Sequence, residues 1–134
     1  MDFSKLDLAS ANEAGVKMEI IHPVTEQSFD PPTYMTVVGI DSDKYQRTSL
    51  ALQNKSINKM LKGRQIRKLP TAEENKANNL ELISNCVLKW ENVEWEGKPL
   101  PCSYENVKMF LTKHPWCLEQ IQTFIEDRAN FIQD

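Results

Sequence analysis

Four glycines in 134 residues, at positions 15, 39, 63 and 97, are too few and too far apart to build a phosphate cradle, which excludes a P-loop or a dinucleotide fingerprint. Cysteine is equally sparse. Cys86, Cys102 and Cys117 are an odd number without a CxxC pair, a pattern of reduced thiols rather than of a disulfide framework. His114 stands three residues before Cys117, but neither other cysteine forms the close pair of a structural zinc site, so no metal or cofactor is expected. His22 and His114 each lie beside a proline, and neither has a nucleophile in a local motif such as GxSxG. The adjacent acids Glu73-Glu74 and Glu126-Asp127 point in different directions on a helix and make no acid/base couple. No apolar run approaches the roughly 20 residues a bilayer span needs, and acidic Asp2 and Asp7 stand where a signal peptide carries basic residues. The expectation is a soluble cytosolic protein that is not an enzyme.

What is present is an ordinary globular composition with an uneven charge. Apolar residues make up 40% and charged residues 26%, which argues against disorder and against a fibre, and the length suits one domain. The net charge of −3 hides a basic middle: Lys44 to Ala72 holds eight basic residues and no acid, so the rest carries 8 basic against 19 acidic, a net of −11. Lys55, Lys59, Lys62, Arg64, Arg67 and Lys68 are the candidate basic contact surface within that segment. Only Tyr45 accompanies them, far from the interleaved aromatics of a single-strand binder. A solvated helix face that meets the chain's own acidic regions is the favoured reading, and nucleic acid is not expected as a partner.

Residues 1–15 are small and polar, without a sustained period, and read as a flexible arm before a single domain over 16–134. Val16 to Ile21 and Thr33 to Ile40 are rich in β-branched residues and are separated by His22-Pro23 and Asp30-Pro31-Pro32, which predicts an antiparallel hairpin or small sheet. Asp41-Ser42-Asp43 should start a helix at about Asp43, with Gly63 as its stop. Thr71 should cap a core helix carrying Ala72, Lys76, Leu80, Ile83, Val87 and Trp90. Asn92 to Leu100 reads as a two-stranded turn around Glu96-Gly97, Ser103 as the N-cap of a helix through Thr112, and Pro115 as the first turn of a last helix reaching about Ile132. The fold class is α+β, a short hairpin or small sheet followed by about four helices.

That last helix gathers Trp116, Ile121, Phe124, Ile125, Arg128, Phe131 and Ile132 on one face. Arg128 is read as structural, paired or laying its stem over the apolar face. Trp90, Trp95 and Trp116 suit a core, and tryptophan is also enriched in interface hot spots.

Three stretches together resemble the tail assembly chaperones of long-tailed bacteriophages: Ile20 to Thr25, Val38 to Tyr45, and the tryptophan turn with Gly97-Lys98-Pro99-Leu100, Ser103, Glu105-Asn106-Val107, Pro115-Trp116, Glu119-Gln120-Ile121, Phe124-Ile125 and Asp127 to Phe131. The resemblance covers most of the chain after about residue 16 and lies in the order of the motifs. It implies a protein that binds the tape measure protein in the cytoplasm of the infected host, keeps it soluble, helps recruit the major tail tube protein, and is absent from the mature virion. A frameshifted longer form of the same product and self-association are further implied possibilities. A client would be held helix-in-groove, with Trp116, Ile121, Phe124 and Phe131 as groove residues where they are partly exposed. A structural tail completion or head-tail connector protein, and a small nucleic-acid-binding regulator, are the competing readings.

Overall fold

The computed structural model describes residues 2–7, 13–62 and 71–132. A three-stranded antiparallel sheet of order β1-β2-β3 is built from β1 (Val16–Ile21), β2 (Ser28–Val37) and β3 (Val87–Glu91), and among the described residues four main helices accompany it. These are α1 (Asp43–Lys62), α2 (Ala72–Cys86), α3 (Tyr104–Lys113) and α4 (Pro115–Glu126), with 3-10 turns at Phe3–Leu6 and Arg128–Phe131. The α+β expectation holds.

The strands depart from the sequence reading in one informative way. Asp30-Pro31-Pro32 is not the turn; that role falls to residues 23–25, and both prolines lie inside β2. The register passes from Ile20↔Thr33 to Ile21↔Ser28, so residues 29–32 have no partner on β1. Proline has no N–H to give a ladder, and it is tolerated where the ladder is interrupted. Asn92 Nδ2 donates to the Pro32 carbonyl at 2.7 Å and occupies one of the acceptors so freed. At its other end β2 stops at Val37 rather than Ile40, because the Val38 N–H turns to the Cys86 carbonyl (3.0 Å) and the Ile40 N–H to that of Ile125 (3.3 Å).

Helix α1 starts at Asp43 as expected, capped by Ser42, whose Oγ accepts from the Tyr45 N–H at 3.1 Å. Gly63, the expected stop, lies outside the described residues. Thr71 caps α2 through the Glu74 N–H at 3.1 Å. The helix then ends at Cys86 instead of reaching Trp90, since Val87 turns to extended backbone and pairs with Val37. Pairing with a central strand and burial of a β-branched side chain outweigh one more helical turn. Ala72 and Lys76, placed on the core stripe by spacing, are exposed.

The small β4–β5 hairpin (Glu94–Trp95 and Lys98–Pro99) turns on Glu96 and Gly97, both at positive φ, as an I′-like turn requires. Ser103 caps α3 by accepting from the Asn106 N–H at 3.2 Å. Helix α4 stops at Glu126, six residues short of expectation. Asp127 is extended and its carboxylate accepts from the Ala129 N–H at 3.0 Å, opening a separate 3-10 turn. Arg128 does have a partner: Nε donates to Asp41 Oδ2 at 2.7 Å and Nη2 to Oδ1 at 3.2 Å, which ties the last turn to the segment between β2 and α1. That carboxylate holds the guanidinium above its ordinary pKa by hydrogen bond and charge.

The core fills the space between one sheet face and the helices. Ile20, Met35 and Val37 meet Ile83, Leu111, Ile121 and Ile125 there, all fully buried. On the opposite sheet face Lys17 of β1 reaches Glu91 of β3 at 2.7 Å and lies 4.4 Å from the ring centre of Tyr34 on the strand between them.

Candidate partner-docking surface

The site is built where the free edge of β1 meets α4. Edge strands leave backbone N–H and C=O groups unpaired, and at the end of β1 one side chain takes both. Gln120 Oε1 accepts from the Ile21 N–H at 3.1 Å while its Nε2 donates to the Ile21 carbonyl at 2.9 Å. This fork holds α4 beside the strand without filling the gap, and an open groove of about 550 Å³ remains.

The far wall is the β1–β2 turn. His22 Nδ1 accepts from the N–H groups of Val24 (3.1 Å) and Thr25 (3.2 Å), and Glu26 closes the turn at φ 57°. Met18, Ile21, Trp116 and Phe124 supply the apolar lining, and the acidic members of the lining are Glu19, Glu26, Glu119 and Asp127. Among the described residues no lysine or arginine lines it. Glu19 Oε2 is shut off from solvent and has no hydrogen-bond partner among the described residues, so the groove already holds one carboxylate oxygen in need of a donor.

Trp116 joins this groove to a second feature. Ring contacts run from His22 to Phe29 (5.9 Å), Phe29 to Trp116 (6.4 Å), Trp116 to His114 (5.6 Å), His114 to Phe110 (4.7 Å) and Phe110 to Trp90 (5.6 Å), with Trp95 against both Phe110 (6.3 Å) and His114 (5.8 Å). All seven rings are half-buried, so they form a ribbon at the surface rather than a sealed core. The Trp90 indole N–H is satisfied by the Leu100 carbonyl at 2.7 Å, which fixes one end. Rigid, partly exposed aromatics beside an apolar groove are the composition of an interaction surface.

The residues expected to line a groove divide into two pairs. Trp116 and Phe124 line it; Ile121 (0% exposed) and Phe131 (2%) belong to the core and cannot touch a partner. The α4 spacing that put these residues on one broad face cannot tell its buried centre from its edge. Met18, Ile21, His22, Phe29 and Gln120 were missed, because the strand and helix that meet here are 99 residues apart at the Ile21–Gln120 contact. Of the basic candidates, Lys55 is exposed on α1, Lys59 and Lys62 lie on its final turns, and Arg64, Arg67 and Lys68 fall outside the described residues. Lys55, the one of these whose side chain is described, does not line the groove.

Among the described residues no group of three or more histidine, cysteine, aspartate or glutamate side chains could hold a metal ion. Burial pushes the Cys86 and Cys117 thiols up to about 12 and raises that of Cys102 as well, so none is an activated nucleophile. No helix among the described residues is long and apolar enough to cross a membrane.

Residues 40–134 match the family described as YdaY prophage protein. The chain belongs to that family. Its origin is therefore a phage genome. The YdaY match takes in helices α1 to α4 and the aromatic ribbon from Trp90 onward, while β1, β2 and the turn that form the other wall of the groove precede it. Comparison with curated proteins and with solved structures finds no match.

Proposed function

We propose that this YdaY-family chain is a tail assembly chaperone, a non-enzymatic protein that binds the tape measure protein, keeps it soluble and promotes assembly of the major tail tube protein around it in the host cytoplasm. The observation that carries the proposal is the partly exposed pair Trp116 and Phe124 in an open groove between β1 and α4, continuous with an aromatic ribbon. A tape measure chain is long and helical, with apolar stretches that associate nonspecifically unless covered, and an open, partly apolar groove can receive one face of such a helix. Each contact is weak, and many copies along one client supply the retention. The acidic groove also disfavours nucleic acid as its occupant, since phosphates and carboxylates repel.

Co-expression with the tape measure protein of the same genome, followed by affinity capture and a solubility assay, tests this. The expected result is a soluble, co-purifying client. A double substitution Trp116→Ala with Phe124→Ala should lower the captured client at least about tenfold, in line with the loss of two aromatic anchors, while circular dichroism stays native. A client that remains insoluble and uncaptured overturns the proposal. Recovery of the chain from purified virions would favour a tail completion or connector subunit instead.

A further inference from the structure

The floor and the rim of the groove between β1 and α4 differ in chemistry. Met18 is buried and Ile21, Trp116 and Phe124 are half-buried, whereas Glu26, Glu119 and Asp127 are exposed. The exposed acids stand on both walls, Glu26 on the β1–β2 turn, Glu119 on α4 and Asp127 just past its end. Trp116 and Phe124 are about 12 Å apart along the helix axis, and Glu119 lies one turn on from Trp116 between them. These carboxylates are also uncompensated. Among the described residues none of Glu26, Glu119 and Asp127 forms an ion pair, and α4 and the β1–β2 turn contain no lysine or arginine. The basic side chains closest in sequence are engaged elsewhere, Lys17 of β1 with Glu91 and Arg128 with Asp41.

From the groove read as the surface that takes a helical client, we infer that its occupant is a basic amphipathic helix whose apolar stripe is flanked on both sides by lysine or arginine. The stripe lies on Trp116 and Phe124. Long basic side chains reach from its two margins to Glu119 and Asp127 on one wall and to Glu26 on the other, with their aliphatic stems still over apolar surface. Around a stripe at heptad positions a and d, the flanking cations stand at e and g. A helix with its lysines opposite the stripe cannot use the groove in this way, because the apolar contact turns them to solvent. The floor supplies the contact area, while the rim selects the sequence and speeds encounter. Acidic helices meet repulsion from the same carboxylates, so the groove sorts the apolar segments of a long client by their charge.

Labelled helical peptides with one leucine a/d stripe and otherwise neutral positions test this against the purified full chain, read by fluorescence anisotropy. The first carries lysine at e and g, the second glutamate there, and the third the same number of lysines moved to b and f. The first should bind, the second at least about tenfold more weakly, and the third several-fold more weakly despite its equal charge. Raising the salt from about 0.1 M to about 1 M shortens the screening length from about 10 Å to about 3 Å, and should bring the three affinities together. Glu26→Gln with Glu119→Gln, exposed changes that keep side-chain size, should remove most of the first peptide's advantage. Glu26→Lys with Glu119→Lys should reverse the order of the first two.

Equal affinity for the lysine-flanked and glutamate-flanked peptides at low salt overturns the inference. So does a lysine-flanked peptide whose binding the folded glutamine variant leaves unchanged, or one that does not bind at millimolar concentration. Client capture separates this from the chaperone reading. A tape measure protein captured equally by the wild type and the glutamine variant overturns the basic flanks alone, whereas the expected peptide order with no client captured overturns the chaperone reading alone.

Discussion

At the scale of single residues, burial decides what each cysteine can do. Cys86 and Cys117 are fully buried, whereas Cys102 is partly exposed. Iodoacetamide at pH 8 should add one label to the folded chain, at Cys102, and three in urea; labelling of Cys86 or Cys117 under native conditions, read by peptide mass spectrometry, would contradict this packing. Ser84 poses the opposite case. It is 2% exposed and its hydroxyl has no hydrogen-bond partner among the described residues, so the fold carries a desolvated polar group without compensation. Removing it in Ser84→Ala should raise stability by about 1 kcal/mol in urea unfolding, against the usual direction for a core substitution. The absence of a disulfide framework was legible from the spacing of the three cysteines. Which of them is reachable was not, because exposure depends on what packs above a residue and not on its neighbours in the chain.

At the scale of elements, caps were read correctly where a side chain acts on its own backbone three residues away. Thr71 and Ser103 are where their helices start, and the Glu96-Gly97 turn lies where its glycine put it. Ends decided by distant partners were misread. Trp90 lies on a strand because Val37 recruits Val87, and one local cap was missed as well, since the last helix stops at Glu126 where Asp127 opens a new turn. The free edge of β1 is the clearest example, being closed by Gln120 from the opposite end of the sequence. Gln120→Ala would leave the Ile21 N–H and carbonyl without partners in a half-buried place, and should cost about 2 kcal/mol. Hydrogen exchange gives an independent check: the Ile21 amide should lose protection more than Met18 does. Equal loss at both positions would mean that the fork merely accompanies a general loosening.

At the scale of the whole molecule, the two buried thiols give the fold an alkaline limit. Each holds its proton in the folded chain up to about 12, whereas an unfolded thiol releases it near 9.0. Between those values the folded state binds more protons than the unfolded one, so stability is complete below about pH 9 and falls as pH rises toward 12. The slope contributed by each thiol is at most about 1.4 kcal/mol per pH unit. Urea midpoints measured from pH 7 to 11 should be flat and then decline, and Cys117→Ala should shallow the decline while lowering stability at pH 7. A midpoint constant to pH 11 would show that these thiols ionise in place. The sequence by itself determined the α+β class, the helix starts, the tight hairpin turn and the basic middle segment, because each depends on composition or on contacts within a few residues. Only the tertiary structure decided that Ile121 and Phe131 close the core while Trp116 and Phe124 face a groove, and that the groove's other wall comes from β1. A helical period defines a face, but how far a second element covers that face depends on where the chain returns, and here it returns from about a hundred residues away.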